Sequence, residues 1–141
     1  MANGRPEIAI VDDDEPVQRA LGRLLVAWDF DVKAFASGQA FLDSLSDELP
    51  DCVVLDLYML GLSGLDVFGA LNRAGFKLPV IMITGRDNPD SRAKSLAAGV
   101  VDYLTKPIDE VALLKAVCNA VAGSPSARIG PTHPRKGTAP G

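Results

Sequence analysis

The chain has 141 residues, a hydrophobic content of 48% and a formal net charge of −4. That length and composition are ordinary for one globular domain with its own core. Eighteen acidic residues outnumber fourteen basic ones, and three of the basic residues, Arg128, Arg135 and Lys136, lie beyond residue 123, where there is no acid. The acidic body argues against direct nucleic acid binding, because neutralising phosphates needs a basic face.

The cysteines and the apolar runs bear on localisation. Cys52 and Cys118 lie in apolar settings, so we expect both to be buried, inert thiols of a reduced, cytoplasmic protein. No apolar run approaches the length of a membrane span, and residues 1–6 lack the hydrophobic core of a secretion signal. We expect an N-terminal extension over 1–6, a domain over 7–123, and a disordered, proline-rich basic tail or linker over 124–141 that includes an unstructured His133.

Short apolar runs alternate with helical patterns five times along the domain. The predicted strands cover residues 7–11, 31–35, 51–55, 79–83 and 100–104. Helices are predicted to open at Asp14, Ser37, Asn88 and Asp109, with a further helix over residues 65–71 that Gly75 would cap. Alternation of this kind with short connections predicts an α/β domain, in which a parallel sheet is covered by helices on both faces.

The helices differ in how much apolar surface they offer to the sheet. Trp28 and Phe68 continue apolar stripes, so we assign both to the core. The fourth helix offers mostly alanine, and its predicted inner face is Ala93, Leu96 and Ala97. A helix that buries little apolar area is weakly anchored, so this one is predicted to be the least stable element.

Polar side chains follow four of the predicted strands at the point where each strand ends. Asp12 and Asp13 follow the first, Asp56 the third, Thr84 the fourth and Lys106 the fifth. The carboxyl ends of parallel strands meet at one edge of the sheet, where sites in such folds are found. We therefore expect these five side chains to face one crevice.

Grouped carboxylates need compensating charge. Two of them about 5 Å apart repel by roughly 3 kcal/mol at an effective dielectric constant near 20. Oxygen ligands without a nearby His or Cys suit Mg²⁺ better than zinc. Asp56, with an ordinary pKa of about 3.9, would be ionised at neutral pH and able to act as a nucleophile. Phosphoryl transfer is the chemistry that asks for a nucleophile, a cation and donors such as Lys106 and Thr84.

These fragments together carry a family resemblance. Val11-Asp12-Asp13-Asp14, Leu55-Asp56-Leu57-Tyr58-Met59 with Gly64 beyond, Ile83-Thr84-Gly85 and Tyr103-Leu104-Thr105-Lys106-Pro107 stand in fixed order, one at each of four strand exits. In this the chain resembles the receiver domains of two-component response regulators over residues 7 to about 122. The resemblance implies a flavodoxin-like (βα)5 fold with strand order 2-1-3-4-5 and a cis bond before Pro107.

The resemblance also implies the chemistry. Asp56 would accept a phosphoryl group from a sensor histidine kinase or a phosphotransfer protein and become a 4-aspartylphosphate. Asp13, Asp56 and the backbone carbonyl of Tyr58 would bind Mg²⁺, and Asp12 would act on the ion through water. The protein would speed only its own phosphorylation and dephosphorylation, so it would not be an enzyme acting on an outside substrate.

The remaining implied roles concern the response to phosphorylation. Thr84 and Lys106 would hold the phosphoryl oxygens, while Thr84 and a half-buried Tyr103 would switch the surface made by the fourth helix, the fifth strand and the fifth helix. That surface would bind a downstream protein, an output domain or a second copy of the chain. Four further residues would flank the phosphoryl group: Leu57, Tyr58, Gly85 and Arg86.

Two features depart from the family pattern. Leu60 stands where the family usually has Pro, which changes the stiffness expected of that loop. Tyr58 and Arg86 are large residues beside the path of attacking water, and our hypothesis is that they slow hydrolysis of the acyl phosphate.

Three other functions fit parts of the pattern. A haloacid-dehalogenase-like phosphohydrolase would have a second Asp two residues after the nucleophile, where this chain has Tyr58. A flavin-binding electron carrier would have a Ser/Thr/Gly-rich loop after the first strand, where this chain has four acids. A degenerate receiver would lack some of the five site positions, which are all filled. Whether the receiver acts alone or as the first part of a longer regulator is left open.

Overall fold

The computed structural model describes residues 4–123, which form a parallel sheet between two layers of helices. The strands are β1 (Glu7–Val11), β2 (Asp31–Phe35), β3 (Cys52–Asp56), β4 (Val80–Thr84) and β5 (Asp102–Thr105). The helices are α1 (Glu15–Ala27), α2 (Gly38–Ser44), α3 (Gly64–Arg73), α4 (Pro89–Ala98) and α5 (Glu110–Ala122). The strand order is β2-β1-β3-β4-β5. The expected α/β flavodoxin-like fold is confirmed.

The register of the sheet aligns the strand ends. Val11 of β1 lies beside Leu55 of β3, and Thr84 of β4 lies beside Thr105 of β5. The last three strands begin one or two residues later than predicted and end on or next to a candidate site residue. The polar residues at these ends therefore emerge along one edge of the sheet, as parallel pairing requires.

The core has two layers because successive strand residues point to opposite faces. On one face, strand residues such as Ala9 and Val11 pack with α2 and α3, and Phe68 is buried there as predicted. On the other face, Ile8 and Ile10 pack with α1 and α5. The core assignment of Trp28 was wrong: its side chain is 52% exposed. The reason is that α1 ends at Ala27, so Trp28 is the C-cap and leaves the helical phase.

Helix α4 packs through a different face from the one predicted. Ala93, Leu96 and Ala97 are exposed, and the residue that α4 buries is Ser95. Alanine-rich patterns define a helical phase poorly, because small side chains contribute little apolar area. Helix α4 therefore buries no large apolar side chain, and its low stability stays a prediction.

Three further expectations have different outcomes. Cys52 is buried, and burial raises the pKa of its thiol to about 12, so it is unreactive as expected. Cys118 is exposed, so the expectation of burial was wrong. Its side chain lies outside the stripe of α5 that packs on the sheet, which is formed by Leu113, Ala116, Val117 and Ala120. Among residues 4–123, no helix is long and apolar enough to cross a membrane. His133 and the predicted tail lie outside the described residues.

Candidate functional site

Three carboxylates meet where β1 and β3 end. Asp12 directly follows β1 and is fully buried, while Asp56 is the last residue of β3 and is 4% exposed. Asp13 lies beside them on the exposed side. One carboxylate oxygen from each of the three lies within 4.8 Å of the others. The expected convergence of the acids is therefore observed.

The backbone around Asp12 is held by a residue that the sequence analysis missed. The side-chain amide of Gln18 donates hydrogen bonds to the carbonyl oxygens of Asp12, at 2.6 Å, and Phe35, at 3.3 Å. The Asp12 carboxylate accepts a further hydrogen bond of 2.9 Å from the Asp14 backbone amide. Gln18 thereby fixes the ends of β1 and β2 together. A polar side chain in the first turn of α1 was the only sequence signal for it.

Lys106 is the cation that faces the acids. Its ammonium donates to a carboxylate oxygen of Asp12 at 3.0 Å and lies 3.6 Å from Asp56. Burial by itself would lower the pKa of Lys106, but the two carboxylates outweigh burial and the net shift is upward. Lys106 is therefore charged at neutral pH. The Lys106–Pro107 peptide bond is cis, as the resemblance implies.

The Asp56 carboxyl group is more basic than an ordinary aspartate. Its pKa rises from 3.8 to about 6, first because of burial and then because of the negative charge of Asp12, while Lys106 opposes the rise. Asp56 is still mostly ionised at pH 7 and can act as a nucleophile. The fraction of Asp56 in the ionised, nucleophilic form decreases as the pH falls through about 6. An aspartate with the ordinary pKa of 3.8 would stay ionised at that pH.

The site has the donor set of a magnesium site. The three grouped acids, Asp12, Asp13 and Asp56, offer oxygen ligands only, and within the described residues no His or Cys joins them. The single nearby ammonium of Lys106 leaves net negative charge on them. A small divalent cation fits this arrangement of hard ligands and uncompensated charge.

The loop of residues 57–63 is fixed at both ends. The Leu57 amide donates to the Ile83 carbonyl, and the Gly64 amide donates to the Leu57 carbonyl, each at 2.8 Å. A Cβ atom on Gly64 would lie 2.6 Å from the Asp56 carbonyl oxygen, so only glycine fits there without movement. Leu60, which is 86% exposed, donates its amide to the Asp13 carboxylate at 3.0 Å. The loop therefore carries a backbone hydrogen bond to one of the three acids, Asp13.

Thr84 is buried at the end of β4, beside the acids' edge of the sheet. Its hydroxyl accepts a hydrogen bond of 3.0 Å from the Arg86 amide and donates to the Arg86 carbonyl at 3.3 Å. In this structure the hydroxyl thus engages its own loop. Gly85 adjoins the Lys106 side chain, because a Cβ atom there would lie in van der Waals contact, 3.8 Å from the Lys106 Cδ.

Two tyrosines connect the site to α4. Tyr58 is 41% exposed and forms a hydrogen bond of 2.7 Å with the hydroxyl of Ser91. Tyr103 is only 2% exposed, so the expectation of half-burial was wrong. The guanidinium of Arg92 lies over the Tyr103 ring, 4.8 Å from its centroid, and covers it. The sequence analysis missed Ser91 and Arg92, whose roles depend on where α4 lies.

The Tyr103 hydroxyl is buried and has no hydrogen-bond partner. Its pKa is raised, first by burial and then by the negative charge of Asp87. Tyr103 is therefore a neutral phenol at physiological pH.

Comparison with known proteins identifies the family. The family model described as the response regulator receiver domain matches residues 8–118. The chain belongs to this family. It is thus a receiver domain of the two-component response regulator type, and the resemblance stated from its motifs is confirmed.

Two curated relatives of this receiver domain are named response regulators. It is 38% identical to the response regulator protein TmoT of Ectopseudomonas mendocina over 118 residues, which is 84% of this chain and 54% of TmoT. It is 35% identical to TodT of Pseudomonas putida over 128 residues, which is 91% of this chain and 56% of TodT. The chain therefore spans about half the length of the curated relatives it matches.

Solved structures agree with this assignment. A response regulator receiver protein from Burkholderia phymatum is 40% identical, with a TM-score of 0.75 over 86% of this chain and 99% of that one. The structure named FixJ-N is 31% identical, with a TM-score of 0.78 over 84% of this chain and 94% of that one. The receiver fold is thus shared with relatives of similar sequence.

Proposed function

We propose that this receiver domain accepts a phosphoryl group on Asp56, in a reaction that depends on Mg²⁺. The observation that carries the proposal is the position of Asp56: it is buried at the end of β3, 3.6 Å from the Lys106 ammonium and within 4.8 Å of two other acids. Burying a carboxylate in a pocket with other negative charges costs folding free energy. Such groups are found mainly at functional sites, so the arrangement indicates a function for Asp56. Family membership supports the same role.

The proposed step is a nucleophilic displacement at phosphorus. A carboxylate oxygen of Asp56 forms a bond to the phosphorus atom while the bond between phosphorus and the donor breaks, which leaves an acyl phosphate and the dephosphorylated donor. The transferred group gains negative charge on its outer oxygens, which the Lys106 ammonium would stabilise. The Thr84 hydroxyl would also donate a hydrogen bond to a phosphoryl oxygen, once its hydrogen bonds to the Arg86 backbone were broken.

Asp13, Asp56 and the Tyr58 carbonyl would hold Mg²⁺, with Asp12 acting through water. When bound, the ion would neutralise the acids and the phosphoryl oxygens. The Leu60 amide would orient Asp13 toward this position, as outer hydrogen bonds commonly do for ligating carboxylates.

The proposal extends to partners and place. The phosphoryl donor would be a sensor histidine kinase or a phosphotransfer protein, and residues 7–123 would form the unit that receives it in the cytoplasm. Modification would shift the surface of α4, β5 and α5 through Thr84 and Tyr103, and a downstream protein, an output domain or a second copy would read the change. The chain's excess of acidic over basic residues argues against direct binding to nucleic acid.

The direct test is intact-mass analysis after incubation with a small phosphodonor and Mg²⁺. The wild type should gain an adduct of about 80 Da, the mass of one phosphoryl group, and Asp56→Asn should not. Asp43→Asn, which changes an exposed acid on α2, is the matched control and should gain the adduct. An adduct on Asp56→Asn, or none on the wild type, would overturn the assignment.

The two large residues beside the site support slow hydrolysis of the acyl phosphate. The Arg86 guanidinium lies 5.4 Å from the centroid of the Tyr58 ring, so the two side chains stack. We expect the double variant Tyr58→Ala with Arg86→Ala to shorten the half-life of the phosphorylated protein several-fold. The half-life is measured as loss of the mass adduct over time, and an unchanged or longer half-life would refute this role.

A further inference from the structure

The side chain of Tyr58 bridges two parts of the receiver that are distant in sequence. Its backbone lies two residues after Asp56, in the loop that carries the candidate metal-binding carbonyl. Its hydroxyl forms a 2.7 Å hydrogen bond with the hydroxyl of Ser91, in the first turn of α4. One residue therefore belongs to the site through its backbone and to α4 through its side chain.

Near its first turn, helix α4 is also held by the Asn88 cap, whose side chain accepts a 2.8 Å hydrogen bond from the Ser91 amide, and by Arg92, which lies over the Tyr103 ring. Ser95 is the residue that α4 buries, and that hydroxyl has no hydrogen-bond partner. Burying an unpaired hydroxyl costs free energy, so the packing of Ser95 holds α4 weakly. Where apolar packing is thin, one polar contact changes the position of a helix measurably.

The Tyr58 ring is itself held in place. Arg86, in the connection between β4 and α4, lies over the ring at 5.4 Å. A ring confined in this way loses less conformational freedom when its hydroxyl makes a hydrogen bond, so the bond contributes more to stability. The contact with Ser91 is thus supported by a second interaction and is more than a chance surface contact.

We infer that the hydrogen bond between Tyr58 and Ser91 is a tether that couples the metal-site loop to the first turn of α4. The inference rests on the proposed function only in taking Mg²⁺ and the phosphoryl group as the ligands of the site. The tether stabilises the position of α4 described here, and a change at the Tyr58 backbone is transmitted to α4 through it. Tyr58 and Ser91 are positioning residues in this account.

This route reaches α4 through a different contact from the route through Thr84 and Tyr103, although Arg86 adjoins both, because its side chain lies over the Tyr58 ring. Thr84 bonds to the backbone of Arg86, and Tyr103 meets α4 through Arg92. Linkage between two binding sites is reciprocal. If a partner that displaces α4 changes the affinity of the site for Mg²⁺ by some factor, Mg²⁺ changes the affinity for that partner by the same factor.

A double-mutant cycle on the unmodified protein tests the tether. Amide hydrogen exchange of residues 90–98 of α4 is measured in the wild type, Tyr58→Phe, Ser91→Ala and the double variant. Each single change should speed exchange in the first turn roughly two- to thirteenfold, the range expected for one neutral hydrogen bond. The double variant should be no faster than the singles, because both remove the same bond.

Tyr103→Phe is the matched control, since it also removes a phenol hydroxyl under α4, but one without a partner. It should not speed exchange in α4. Additive effects of Tyr58→Phe and Ser91→Ala, or no effect of either, would overturn the tether.

A second arm adds Mg²⁺ and asks whether the site reaches α4. Mg²⁺ should change the exchange of residues 90–98 in the wild type, and in Tyr58→Phe that response should fall by at least about half, as loss of one such bond implies. A full response in Tyr58→Phe would refute the coupling. If Mg²⁺ does not change exchange in the wild type, both the coupling and the proposed metal site are overturned. The double-mutant cycle, which is measured without Mg²⁺, would still show whether the hydrogen bond holds α4.

Discussion

Helices α3 and α4 are both ten residues long and follow adjacent strands, yet they are anchored differently. Helix α3 buries Val67, Phe68 and Leu71 and begins with a capping box between Ser63 and Asp66. Helix α4 buries Ser95 alone. The contrast shows that the helix after Asp56 is packed through large apolar side chains, whereas the next helix is not.

This division suits a switch. Under the proposed function the acids must stay in place for chemistry, and the loop that leads from Asp56 into α3 is packed tightly against Gly64. The element that reports the change must have two positions of similar free energy, and such elements belong to the less stable parts of a fold.

The largest effect that tests the contrast is truncation of a buried leucine. Leu71→Ala in α3 should lower the free energy of unfolding by roughly 2–5 kcal/mol, because it leaves a cavity. Leu96→Ala in α4 removes a side chain that is 45% exposed and should cost no more than about 0.5 kcal/mol. Urea unfolding measures both. Similar costs for the two variants would remove the contrast.

The next effect concerns Asp56, whose backbone lies against Gly64 of α3. Because the pKa of Asp56 is about 6 in the folded protein and 3.8 ordinarily, the folded state holds this proton more tightly than the unfolded chain. Its contribution to stability therefore falls as the pH rises from about 4 to about 6. Asp56→Asn should raise the free energy of unfolding by roughly 1–3 kcal/mol at pH 7 without Mg²⁺.

That gain should shrink as the pH falls from about 6 to about 4 and be absent below pH 4, where Asp56 of the wild type is protonated in both states and resembles asparagine. Unfolding curves at several pH values, with a chelator present, supply the measurement. A gain that does not depend on pH would show that charge is not its cause. The contrast between Leu71→Ala and Leu96→Ala should persist in the Asp56→Asn background, since it depends on packing.

The smallest effect sharpens the description of α4. Ser95→Ala removes a buried hydroxyl that has no partner, so it should raise the free energy of unfolding by about 0.5–1 kcal/mol and slow amide exchange in α4. Ser44→Ala is a control in which the hydroxyl donates to the Phe41 carbonyl at 2.6 Å. That variant should be neutral or destabilising. A destabilised Ser95→Ala protein would show that the hydroxyl is satisfied.

Most of the fold was predictable because its signals are local. Asp14, Ser37 and Asp109 cap helices as expected, since their side chains accept hydrogen bonds within the same turn. Trp28 failed because a helix can end before its apolar stripe does. The inner face of α4 failed because alanines set no clear phase, and Ser95 gave no apolar signal.

The candidate site was predictable where topology alone decides. Parallel strands bring their carboxyl ends together, so the convergence of Asp12, Asp13 and Asp56 follows from sequence order. The raised pKa of Asp56 depends on burial. The bond between Tyr58 and Ser91 joins segments 33 residues apart and depends on where α4 packs. Neither was available from residue types and spacing.

The central claim is that the grouped acids form one cation site. The most direct measurement compares the free energy of unfolding with and without about 10 mM MgCl₂ in wild type and Asp13→Asn, with NaCl at matched ionic strength as the reference. Asp13 is exposed, so its neutralisation leaves the core unchanged. The account predicts that Mg²⁺ stabilises the wild type by about 1 kcal/mol and Asp13→Asn by less than half of that. Equal stabilisation of both proteins, or of neither, would contradict it.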